Sequence, residues 1–97
     1  MAILEVHDAL GQVRRITLSR DQPLMMGSSP RCDVVLAGDR VLPMHGRIRW
    51  HPKNNRFKVD ASPDAQYVVV NGHKMRSSSL RPGDEIEVSG NRLFLIS

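Results

Sequence analysis

Arg47-Ile48-Arg49-Trp50, a break at Pro52-Lys53-Asn54-Asn55, then Arg56-Phe57-Lys58-Val59: charged and apolar residues alternate on both sides of a turn. Successive side chains of a strand point to opposite faces. A period of two therefore puts Ile48, Trp50, Phe57 and Val59 on a buried face and the charges in water. The alternation returns at Glu85-Ile86-Glu87-Val88, which places Ile86 and Val88 inside. Turn signals punctuate the chain at short intervals. Asp8 to Gly11 separates Ala2–His7 from Gln12–Ser19, Pro82-Gly83 suits the central positions of a type II turn, and Ser89-Gly90-Asn91 closes a last hairpin into Leu93–Ile96. Short strands at such spacing predict an all-β sandwich or barrel. The triple Ser77-Ser78-Ser79 reads as a loop.

The chain has 97 residues, which predicts one domain over 1–97. A chain of this size buries roughly 60–70% of its unfolded surface, enough for one core without staples. Apolar residues at 40% and charged residues at 25% match a globular domain and argue against disorder. No apolar run approaches the length of a membrane span, and the segment Met1 to Leu10 has no basic region of a signal peptide. The single cysteine, Cys32, permits no internal disulfide and suits a reducing cytoplasm. The net charge of +4 invites an anionic partner, but the arginines and lysines are spread along the chain and alternate with apolar residues. That pattern predicts solvated strand faces rather than a nucleic-acid footprint.

Several short motifs then occur in a fixed order. Leu24-Met25-Met26-Gly27-Ser28 is followed by Cys32-Asp33-Val34-Val35-Leu36, by Asp39-Arg40-Val41, and by Leu42-Pro43-Met44-His45 feeding Gly46-Arg47-Ile48. Later come Val70-Asn71-Gly72 and Leu80-Arg81-Pro82-Gly83-Asp84 with Ile86. Their order and spacing, over about three quarters of the chain, resemble the forkhead-associated (FHA) domain family. The resemblance implies a β-sandwich of about ten to eleven short strands in two sheets, which reads phosphothreonine peptides with the loops at one end.

The resemblance fails where that activity resides. The family's phosphate-contacting Arg after the glycine falls on Ser28, and the Ser and Arg of its Ser-Arg-x-His tetrad fall on Leu42 and Pro43. The family's Asn that grips the peptide backbone is missing from Gln66-Tyr67-Val68. His45 alone keeps its identity, and its family role is to brace neighbouring loops. Charge-assisted hydrogen bonds contribute about 1.5–3 kcal/mol each. Losing two or three therefore removes several orders of magnitude in affinity at about 1.4 kcal/mol per decade. The expectation is a non-catalytic protein-interaction module of the FHA type that works without phosphothreonine. Its candidate surface is Ser28, Ser29, Arg31, Arg40, Leu42, Pro43, Met44, Gln66 and Asn71. Its partner is a protein or peptide, not nucleic acid or membrane. The alternative is binding of a phosphothreonine peptide or another anion, nucleic acid included, through relocated Arg31 and Arg40 with the hydroxyls of Ser28 and Ser29. On either reading Leu42-Pro43-Met44 is an apolar loop where the family's is polar, and it forms either an exposed contact patch or a loop folded down to bury Leu42.

Other chemistry finds little footing. His7, His45, His51 and His73 lack metal-ligand spacing, so neither metal nor cofactor is expected. Cys32 beside Arg31 reads as a structural thiol. Glu85 and Glu87 point outward by period two and Asp84 belongs to a turn, so no catalytic carboxylate pair is expected. Met25 or Met26 is expected to fill core.

Overall fold

The computed structural model describes residues 2–97, in eleven strands and no helix. In chain order these are β1 (Ala2–His7), β2 (Val13–Leu18), β3 (Leu24–Gly27), β4 (Val34–Val35), β5 (Gly46–His51), β6 (Arg56–Ala61), β7 (Val68–Val70), β8 (His73–Met75), β9 (Ser77–Ser79), β10 (Glu85–Val88) and β11 (Asn91–Leu95). One sheet runs β2-β1-β11-β10-β7-β8 and the other β4-β3-β5-β6-β9. All pairings are antiparallel except β3 with β4. With no helix among the described residues, none is long and apolar enough to cross a membrane.

The period-two segments supply the core. Ile48, Phe57 and Val59 of one sheet face Leu4, Val6, Ile86, Val88 and Leu93 of the other, all buried. Met26 is fully buried among them while Met25 is half-buried, as strand alternation requires. Trp50 is half-buried at the edge of this core, edge-to-face with Phe57 at 5.0 Å. Two hairpins use the left-handed backbone that two-residue type I′ turns need: Asn71-Gly72 joins β7 to β8, and Ser89-Gly90 joins β10 to β11, all four residues having positive φ. The Asp84 N–H donates to the Arg81 carbonyl (3.0 Å) across Pro82-Gly83.

Two expectations are corrected. Ser77–Ser79 is a strand, not a loop: it pairs antiparallel with β6, and Ser77 Oγ donates to Asp60 Oδ1 (2.6 Å). A template strand outweighs the weak intrinsic preference of serine. Asn91 is not a turn residue. It opens β11 with its side chain wholly buried, accepting from Ala9 N–H (2.9 Å) and donating to the carbonyls of Ala37 (2.8 Å) and Val88 (2.9 Å). It thereby ties the β1–β2 turn and the long 36–45 connection to the β10–β11 hairpin. Many basic side chains do stand on strand faces beside acids: Arg15 Nε lies 2.9 Å from Glu5, Arg92 Nε 2.8 Å from Glu85, and Arg49 Nε 2.6 Å from Asp60.

Candidate functional site

Three connections meet at one end of the sandwich: residues 28–33, 36–45 and 62–67. The first two are laced together by backbone. Ser28 N–H donates to the Leu42 carbonyl (2.9 Å) and Ser29 N–H to the Pro43 carbonyl (3.2 Å). This closeness depends on Gly27, because a Cβ there would sit 2.2 Å from the Pro43 carbonyl oxygen. Cys32 adds a third tie. Its thiol donates to the Pro43 carbonyl (3.2 Å) and lies 3.6 Å from Met44 Sδ. Burial pushes the Cys32 pKa up, and the charge of Asp33 adds to this. The thiol therefore packs rather than attacks.

His45 ties β3 and two of these segments together. Its N–H donates to the Met26 carbonyl (2.9 Å), its carbonyl accepts from Ser62 N–H (2.9 Å), and its Nδ1 accepts from Leu42 N–H (3.2 Å). Burial holds the imidazole below its ordinary pKa, in the neutral form this bond requires. In the third segment Ser62 Oγ accepts from Ala65 N–H (3.2 Å) and the Ser62 carbonyl from Gln66 N–H (3.0 Å). That turn leaves Gln66 exposed with a φ of 70°.

The lacing consumes backbone donors. The N–H groups of Ser28, Ser29, Leu42 and His45 all serve internal acceptors, and Pro43 has none. Ser28, Arg31, Arg40, Pro43 and Met44 are exposed, while Ser29 and Leu42 are half-buried. Ser29 Oγ accepts from Arg31 N–H (3.2 Å). Leu42 thus lies between the two arrangements open to the sequence: it leans into the protein while Pro43 and Met44 stay outside. Asn71 is not with this group. Its side chain donates to Asp84 Oδ1 (3.0 Å) and accepts from Glu85 N–H (2.9 Å), tying the β7–β8 turn to the β9–β10 turn.

Three clefts flank the loops; one, of about 560 Å³, is lined by Ser62, Pro63, Gln66 and Arg76. A second, of about 370 Å³, brings Arg40 together with Leu42 and His45, and it also carries Asp64 and Glu87. With His45 neutral, one cation stands against two carboxylates. Neither Ser28 nor Arg31 lines it. The third, of about 290 Å³, is lined by Met25, Met44, Ala61 and Pro63 and also by the Arg47–Asp60 ion pair (3.4 Å). The roles of Gly27, Asp64 and Asp60 at this end carry no recognisable signal in the sequence. Gly27 stands in a motif without revealing which peptide it admits. Among the described residues no three His, Cys, Asp or Glu side chains come together as a metal cluster would.

Comparison with known proteins gives the same architecture. The FHA domain of the CT664 protein from Chlamydia trachomatis superposes with a TM-score of 0.85 at 19% identity, over 99% of this chain and 96% of that one. The FhaA FHA domain, solved in complex with the intracellular domain of Rv3910, gives 0.80 at 19% identity, over 98% and 99% of the two chains. An FHA domain from a structural and functional analysis of phosphothreonine-dependent FHA domain interactions gives 0.77 at 17%, over 99% and 95%. No protein of curated function matches in sequence. The family model of the FHA domain matches residues 24–89, from the start of β3 through the β10–β11 turn. By that match, and by its two-sheet fold, this chain belongs to the FHA domain family.

Proposed function

We propose that this FHA domain is a non-catalytic module that docks an unphosphorylated protein segment through its loop end, over the cleft of Met25, Met44, Ala61 and Pro63. FHA domains are protein-interaction modules, and the fold supports that much for this chain. The observation that carries the finer reading is the state of the phosphate end. Ser28, Leu42 and Pro43 bring no cationic donor, and their backbone N–H groups are already used or absent. The neighbouring cleft opposes Arg40 with Asp64 and Glu87. A dianionic phosphate gains little from such surroundings. An exposed Met44 and Pro43 beside a largely apolar cleft, whose one ion pair is internally matched, instead favour a contact driven by burial, and methionine adapts to irregular partners. His45 braces the loops that carry this surface. The buried Cys32 thiol suits a reducing, cytoplasmic setting.

Titration of phosphothreonine peptide libraries beside their unphosphorylated forms tests this. Binding is expected to be indifferent to phosphate and to weaken with Met44→Asp. Micromolar affinity that needs phosphate and is lost with Arg31→Glu or Arg40→Glu would overturn it and install the relocated-arginine reading.

A further inference from the structure

The opposite end of the sandwich holds a cavity of about 590 Å³ that the loop-end reading leaves unused. Its floor is apolar, with Trp50, Phe57 and Leu80 among its lining, and Arg20, Arg56 and Arg81 stand around it. These side chains come from three separate segments: Arg20 from the β2–β3 connection, Arg56 from the start of β6, Arg81 from the β9–β10 connection. The fold thus gathers cations that the sequence shows as dispersed. No Asp or Glu side chain lines the cavity. Among the described residues none of the three guanidinium groups pairs with an Asp or Glu side chain, unlike Arg15, Arg47, Arg49 and Arg92 on the strand faces, and Ser97 completes the lining. The Arg20 guanidinium carbon lies over the Trp50 ring, 4.2 Å from its centre, which fixes one of the charges at the cavity. A second cleft continues from Asn54, Arg56 and Arg81 over the hydroxyls of Ser78 and Ser79.

We infer that this cavity is a second docking site, taking an acidic protein segment that presents a bulky apolar side chain between carboxylates. Two features select this partner. The apolar floor suits a buried apolar side chain, and the volume leaves room for the neighbouring residues of the same segment, with polar groups fixing them at the rim. Three arginines with no Asp or Glu side chain beside them in the lining then favour negative charge around that side chain, and a guanidinium binds a carboxylate through two parallel bonds. Single-stranded nucleic acid fits less well. It needs open aromatic platforms along a basic track. Here a guanidinium already covers a face of the one indole, and the cations ring a pocket rather than mark out a path.

Trp50 is the only tryptophan, so its fluorescence reports this cavity directly. The probe is a blocked Glu-Asp-Leu-Glu-Asp peptide, with Gln-Asn-Leu-Gln-Asn and Glu-Asp-Ala-Glu-Asp as controls and oligo-dT as competitor. A saturable change in Trp50 emission is expected with the acidic leucine peptide. It should weaken at least tenfold with Arg56→Glu, with Arg81→Glu, with either control peptide, and between low and high salt. Arg31→Glu at the far end should leave it unchanged. Arg81 lies in an exposed turn, so its variant separates lost binding from lost folding, checked by circular dichroism. No saturable change up to millimolar peptide, equal binding of the neutral peptide, or tighter binding of oligo-dT would each overturn the proposal.

Discussion

His45 accepts a hydrogen bond from Leu42 N–H at Nδ1, so the folded protein needs its ring neutral. Burial, by stripping water from the charged ring, lowers its pKa as well. In the unfolded chain the ring takes its proton at the ordinary value of about 6.5. Below that value the unfolded state binds the extra proton first, so acid pulls the equilibrium toward unfolding. The stability His45 contributes is thus complete above the ordinary histidine range. It falls as pH drops through that range toward the depressed folded pKa. Asparagine can place its Oδ1 where Nδ1 lies and does not titrate. His45→Asn is therefore expected to fold at pH 7 and to lose the part of the stability decline between about pH 7 and 5 that belongs to this residue, read from urea midpoints across pH. The identity of His45 and its bracing role could be read from its motif; the acceptor at Nδ1 could not, because it depends on where the chain returns Leu42. Asn91 shows the limit more sharply. Beside Gly90 it reads as a turn residue, and only the assembled fold brings Ala9, Ala37 and Val88 around its amide.

Strands were legible wherever one face is buried, because the alternation of Ile48, Trp50, Phe57 and Val59 writes the sheet directly into the sequence. β9 was not, since three serines carry no alternation and the strand exists by pairing with β6. Asp60 holds that pairing together. It accepts from Arg49 Nε of β5 (2.6 Å), Arg47 Nε of β5 (3.4 Å) and Ser77 Oγ of β9 (2.6 Å), so one carboxylate spans three strands. Burial by itself raises its pKa, but the bonds from Ser77 and Arg49 and the nearby arginine charges outweigh that and hold it below the usual value. Its contribution is therefore present above the ordinary carboxylate range and is lost as pH falls below it. Asp60→Ala is expected to cost about 1–3 kcal/mol, since it leaves Arg49 and Ser77 half-shielded without their acceptor. Most of the loss should remain in Asp60→Asn, whose amide offers one uncharged acceptor. Chemical denaturation of both variants checks this. A cost near zero would mean that β9 is held by backbone pairing alone.

At the scale of the whole molecule, the two ends carry separate surfaces but share one core. Met26 and Val34 lead from that core to the loop end, Phe57 and Leu80 to the arginine cavity, and all four belong to one contiguous buried cluster. Each end has a natural reporter. Cys32 is 7% exposed and bonded to Pro43 at the loop end, and its raised pKa keeps the thiolate scarce while the fold is intact. Trp50 sits half-buried at the opposite end against Phe57. If a single core governs both, denaturant should expose the thiol and quench or shift the indole in one cooperative step. Thiol labelling and Trp50 fluorescence are therefore expected to share a midpoint and slope in urea, with labelling under native conditions limited to the globally unfolded fraction. Gly27→Ala should move both curves together, because the clash with Pro43 is transmitted through β3 into the shared core. An earlier midpoint for Cys32 would instead identify the laced loops as a unit that opens alone. That would give the loop end freedom to reshape around a partner, while the arginine cavity would stay preformed.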